Sequence, residues 1–118
     1  MRKKWLTALL TALLLLASAA VFALKDEPVE RFDITPNPMD RECTIILSFR
    51  SPLSISVQIQ TPEGDLIKDI YSGYAAKSMQ FTWDRYDMEN QYVSEGTYVV
   101  VLGYDTRYTS TKKTLILK

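Results

Sequence analysis

Apolar side chains recur at every second position from Cys43 to Phe49, where Cys43, Ile45, Leu47 and Phe49 fall on one side of an extended chain. The same beat returns at Ile55, Val57 and Ile59, which alternate with Ser54, Ser56, Gln58 and Gln60. A strand turns successive side chains to opposite faces, so a period of two buries one face and wets the other. A helix would instead need apolar residues three and four apart. Turn chemistry brackets these runs. Arg50-Ser51-Pro52 closes one, and Thr61-Pro62-Glu63-Gly64 puts proline early and glycine late, as a tight turn requires. Residues 31–34 read as a short edge strand stopped by Thr35-Pro36-Asn37-Pro38. Residues 66–71 read as a strand, 72–76 as a loop and Ser78–Trp83 as a strand. Residues 97–104, apolar on both faces, suit a central strand, and 109–117 close the domain. About seven short strands with regular turn signals predict an all-β chain, a single immunoglobulin- or fibronectin-III-like β-sandwich.

The start of the chain obeys a different rule. Arg2, Lys3 and Lys4 precede a charge-free apolar run over 6–20, and Val21-Phe22-Ala23 offers a signal-peptidase site. The expected organisation is a signal peptide over 1–23, cleaved after Ala23 with Ala17-Ser18-Ala19 as the second choice. A short tether over 24–30 and the β-domain over 31–118 follow. Left uncut, residues 5–24 are long enough to anchor the chain in a bilayer, the only membrane contact foreseen. Cleavage leaves 95 of the 118 residues and turns 14 basic residues into 11 against 14 acidic, a net charge of about −3. A weakly acidic surface without a basic stripe excludes nucleic acid as a partner. Cys43 is the single cysteine, so no intramolecular disulfide can form, and it reads as a small buried hydrophobe.

Histidine is absent, which removes the commonest general base, the Ser-His and Cys-His nucleophile pairs and most zinc sites. No catalytic residue and no cofactor is expected, and the chain is read as not an enzyme. The one dense acidic stretch, Asp84, Asp87, Glu89 and Asn90, offers oxygens that calcium could use. It lacks the ligand ladder and glycine of an EF-hand loop. Asp and Asn also order tight turns by accepting backbone amides, and this is the preferred reading. Of the seven tyrosines, Tyr98 and Tyr104 sit in an apolar strand, while Tyr71, Tyr74, Tyr86 and Tyr92 lie in or beside turns. Gathered together, those four would make an amphipathic contact patch.

Several of these residues stand in a familiar order. Thr35-Pro36-Asn37-Pro38-Met39, the alternating strands, Gly64, Thr82-Trp83-Asp84, Asp87, Gly96-Thr97-Tyr98 and a closing Lys112-Lys113-Thr114-Leu115-Ile116-Leu117-Lys118 follow one another. Over 31–118 the chain resembles the immunoglobulin-like domain of the bacterial flagellar hook-capping protein FlgD and, through it, the C-terminal sorting modules of secreted proteins. The resemblance implies that Trp83 ends a strand and plugs the core, that Asp84 and Asp87 order a hairpin, and that Gly96 starts the next strand with Tyr98 packed across it. The chain departs from the family at Arg85 and Asn90, where glycines are usual.

The function expected is that of an exported binding or structural module of the cell envelope, periplasmic or extracellular, with protein partners in an envelope or flagellar-type assembly. The alternatives are a secretion-sorting or surface-attachment domain and a carbohydrate- or calcium-binding domain. Contact by strand addition is expected at the closing strand, with Lys112 and Lys113 on it, or at the first strand.

Overall fold

A computed structural model describes residues 27–104 and 109–118. The leader, its cleavage site, the first three residues of the tether and Tyr108 lie outside the described residues. Seven strands follow in chain order: β1 (Val29–Thr35), β2 (Cys43–Phe49), β3 (Leu53–Gln60), β4 (Leu66–Ala75), β5 (Ser78–Trp83), β6 (Gly96–Tyr104) and β7 (Thr111–Leu117). They form two antiparallel sheets, β1-β2-β5 and β4-β3-β6-β7, which pack as a β-sandwich. The alternation in the sequence becomes burial directly. Cys43, Ile45, Leu47 and Phe49 of β2 meet Ile55, Val57 and Ile59 of β3 in the core, with Val100 and Leu102 of β6 and Leu115 and Leu117 of β7. β6 is central, paired on both sides by β3 and β7.

Two expectations about the strands need correction. β1 begins at Val29, inside the segment read as tether, and Pro28 behind it is buried with its carbonyl accepting the Arg50 amide at 3.0 Å. The loop expected over 72–76 belongs to β4, whose Ser72, Gly73, Tyr74 and Ala75 pair with Ser56, Ile55, Ser54 and Leu53. Ser and Gly weaken the strand signal there. The deficit is made good by Tyr71, whose ring covers Gly73 and whose hydroxyl donates to the Tyr74 carbonyl at 2.6 Å. Gly73 has φ +153°, a conformation that a Cβ would strain.

The closing strand is not the open edge that the sequence suggests. Met39 forms a parallel bridge with Leu117, its amide donating to the Ile116 carbonyl and its carbonyl accepting the Lys118 amide. Between Pro36 and Pro38, the Asn37 side chain extends this false strand, donating to the Thr114 carbonyl at 2.8 Å and accepting the Ile116 amide at 3.0 Å. The segment that reads as a strand stop therefore caps the outer edge of β7 from the Thr114 carbonyl onward. The first strand is also guarded: Lys113 donates to the outward Phe32 carbonyl at 2.6 Å, and the register slips between Val29 and Arg31.

Candidate interaction surface

The stretch from Trp83 to Val93 joins the two sheets and is ordered from within. Trp83 closes β5, is 1% exposed in the core, and donates its indole N–H to the Tyr86 carbonyl at 2.9 Å. Asp84 accepts the Tyr86 amide at 3.1 Å through Oδ1. One oxygen of Asp87 accepts the amides of both Glu89 and Gln91 at 2.9 Å, while its backbone N–H donates to the Gln91 carbonyl. Asn90 stands at the tip with φ +60°, the left-handed conformation that asparagine tolerates best after glycine. These carboxylates carry out turn chemistry. Among the described residues no group of three or more Asp, Glu, His or Cys side chains could hold a metal ion.

Arg85 is the residue whose role the sequence concealed. It too has a positive φ, +69°, and it is 4% exposed, the one buried charged side chain among the described residues. Its Nε donates to the Val93 carbonyl at 2.7 Å, and Nη1 donates to the backbone oxygens of Asp40 at 2.6 Å and Lys118 at 2.8 Å. The guanidinium also stacks on Tyr92, 4.8 Å from the ring centroid. A left-handed backbone costs a residue with a Cβ about 1–2 kcal/mol. Charge-assisted hydrogen bonds contribute about 1.5–3 kcal/mol each, so the clamp outweighs the strain. Arginine thus stands where glycine would be easier because the side chain ties the hairpin to the segment after the two prolines and to the end of β7. The only signal in the sequence was its presence at a glycine position.

At the next strand Gly96 takes φ +149°, and a Cβ built there would lie 3.6 Å from the Tyr98 ring. The Tyr98 hydroxyl donates to the Ser94 carbonyl at 2.9 Å, the same arrangement of ring over glycine and hydroxyl on carbonyl that Tyr71 makes at Gly73. The four turn tyrosines do not gather into one patch. Tyr71 packs on Phe81 at 5.2 Å between the sheets, and Tyr74, whose carbonyl Tyr71 holds, is 63% exposed. Tyr86 and Tyr92 do pair, edge to face at 5.4 Å, across an isolated β-bridge.

Met88, on the same hairpin, lies against the start of β4. Its amide donates to the Ile67 carbonyl at 3.0 Å and its sulfur accepts the Asp69 amide at 3.3 Å. Met88, Tyr92, Leu66 and Tyr86 remain 56%, 51%, 49% and 38% exposed, which makes the hairpin and the first residue of β4 the main apolar surface of this end of the domain. Cys43 belongs to the opposite kind of environment: burial, with a smaller contribution from Glu42, pushes its thiol up to about 11, so it is protonated and inert.

No protein-family model matches the chain, and no curated protein does. Among solved structures, dimeric latent PorU from Porphyromonas gingivalis is similar, with a TM-score of 0.52 and 19% sequence identity. The match covers 73% of this chain and 9% of the PorU chain. At that identity the likeness is one of fold, and the chain spans under a tenth of the protein it matches.

Proposed function

We propose that this chain is an exported, non-enzymatic protein-binding module of the bacterial cell envelope, and that its contact surface is the hairpin over 84–93 with the adjoining Leu66. The observation that carries this reading is an exposed Tyr86–Tyr92–Met88–Leu66 surface on a hairpin ordered by Arg85 and Asp87. Aromatic and methionine side chains dominate the centres of protein interfaces. A loop already ordered before contact loses little entropy on binding. Asp84, Glu89 and Gln91 are exposed around it while the charge of Arg85 is hidden, so the complementary partner has an apolar centre and a basic rim.

Export rests on the basic start and the apolar run over 6–20, and the envelope assembly rests on the resemblance to the hook-capping domain. The sorting alternative, in which a receptor pairs with the closing strand, meets an obstacle in the Asn37–Met39 cap on that strand.

A photo-reactive residue introduced at Met88 in the exporting cells tests the reading. A discrete adduct with another envelope protein, lost on adding Tyr92→Ala, is the expected result. Labelling at Ile116, exposed on the sheet face, with none at Met88 would refute it. An N-terminus at Leu24 on the recovered protein checks the export step.

A further inference from the structure

A sandwich of two open sheets has four edges, and three of them are defended here. β7 carries Lys112 and Lys113 and is capped by Asn37 and Met39. β1 carries Glu30, Arg31 and Asp33, a register slip, and Lys113 on its Phe32 carbonyl. β4 carries Lys68 and Asp69, two register slips, and Met88 across its first residues. Charges, bulges and covering groups are the usual means of keeping an edge from pairing. Among the described residues β5 has none of them on its backbone edge, where Tyr71 meets only the Phe81 ring. Its six residues, Ser-Met-Gln-Phe-Thr-Trp, are uncharged and contain no proline. It pairs with β2 in unbroken register from Ser78↔Ser48 to Trp83↔Cys43, and no described residue hydrogen-bonds its outer edge.

Beside its first half lies a cleft of about 290 Å³ lined by Ile46, Leu47, Ser78, Met79 and Gln80. None of those side chains ionises, so the cleft carries no acid–base chemistry.

We propose that β5 is a pairing edge and that its occupant is β5 of a second copy of this chain, joining two three-stranded sheets into one of six, β1-β2-β5-β5-β2-β1. The choice of occupant rests on self-complementarity. A two-fold axis through Gln80 sets antiparallel Gln80 against Gln80, Ser78 against Thr82 and Met79 against Phe81. Hydroxyls and amides then meet on the exposed face, and thioether meets ring on the half-buried one. The same operation sets Lys77, just before the strand, against Trp83, and Asp84, just after it, against Ala76, so no like charges oppose each other at the joint. Self-pairing of β7 about Thr114 would instead set Lys112 against Ile116 and Lys113 against Leu115, on an edge that Asn37 already caps. An isologous contact repeats each favourable pair twice. Specific interfaces bury about 1,200–2,000 Å² in total. A six-residue edge falls at or below that range, so the dimer is expected to be concentration-dependent.

Sedimentation velocity on the purified protein over a wide concentration range should show a monomer–dimer equilibrium. Gln80→Lys and Gln80→Glu, on an exposed position, should each lower the association constant about tenfold or more at unchanged melting temperature. An equimolar mixture of the two should restore it. Directly opposed residues lie about 4.5–5.5 Å apart between Cα atoms, within disulfide reach. Gln80→Cys should therefore form a disulfide-linked dimer under mild oxidation, and Gln58→Cys on β3 should not. A chain that stays monomeric throughout, with no Gln80→Cys cross-link, would overturn the proposal. So would dimers indifferent to charge at Gln80, or a β5 edge that takes up a foreign strand peptide while the protein remains monomeric.

Discussion

Arg85 shows how a single side chain can reverse a backbone preference. Replacing it with glycine removes a strained φ and also removes three donors from carbonyls gathered around a buried site. The second effect is larger, so Arg85→Gly should lower stability by about 2–4 kcal/mol in denaturant titration, despite the relief of strain. Trp83→Ala empties a core position and leaves the Tyr86 carbonyl without its donor. A loss of about 3–5 kcal/mol is expected, against a total of about 5–15 kcal/mol for a domain. The mutant should be largely unfolded at physiological temperature by near-ultraviolet circular dichroism. Cys43 has a signature in pH. The folded thiol holds its proton up to about 11, whereas the unfolded one loses it near 9.0. Stability from this group is therefore complete below about 9 and is lost as pH rises towards about 11. Cys43→Ala should flatten that alkaline limb in melts taken across the range. Tyr104, whose hydroxyl burial also pushes upward, will keep part of the slope.

Among the elements, legibility followed side-chain periodicity. β2, β3 and β5 could be read almost to the residue, because one face of each alternates cleanly into the core. The end of β4 could not, because Ser72 and Gly73 carry no strand signal and the ring that rescues them comes from Tyr71. The cap on β7 was hidden for another reason: Asn37 and Met39 lie more than seventy residues from the strand that they cover. Turn composition announces where a chain stops pairing with its neighbour in sequence. It does not announce a distant edge. The hairpin over 84–93 was half legible: Asp84, Asp87 and Asn90 spell turn chemistry, while the clamp made by Arg85 depends on carbonyls supplied by Asp40 and Lys118. Asn37→Ala should open the capped edge without unfolding the sheet. It removes two bonds, worth about 0.5–1.5 kcal/mol each, and should accelerate hydrogen exchange at the Ile116 amide while leaving the Leu102 amide of β6 unchanged.

For the molecule as a whole, the acidic turn is expected to be structural. Saturating calcium should then leave the melting temperature where it was. A ligand at a hundred times its dissociation constant would add about 2.7 kcal/mol, a shift that a thermal scan resolves easily. A rise abolished by Asp87→Ala would reverse this reading. The cap and the clamp also have a consequence for the order in which the fold can be completed. Asn37 is bonded across 77 and 79 residues to Thr114 and Ile116, and Arg85 across 33 to Lys118. A chain emerging N-terminus first, from a ribosome or through a translocation pore, can pair β1, β2 and β5 early. It cannot close either fastening until its final strand has cleared the exit. Completion of the fold thus waits on β7 and Lys118, and until they arrive the domain lacks both fastenings.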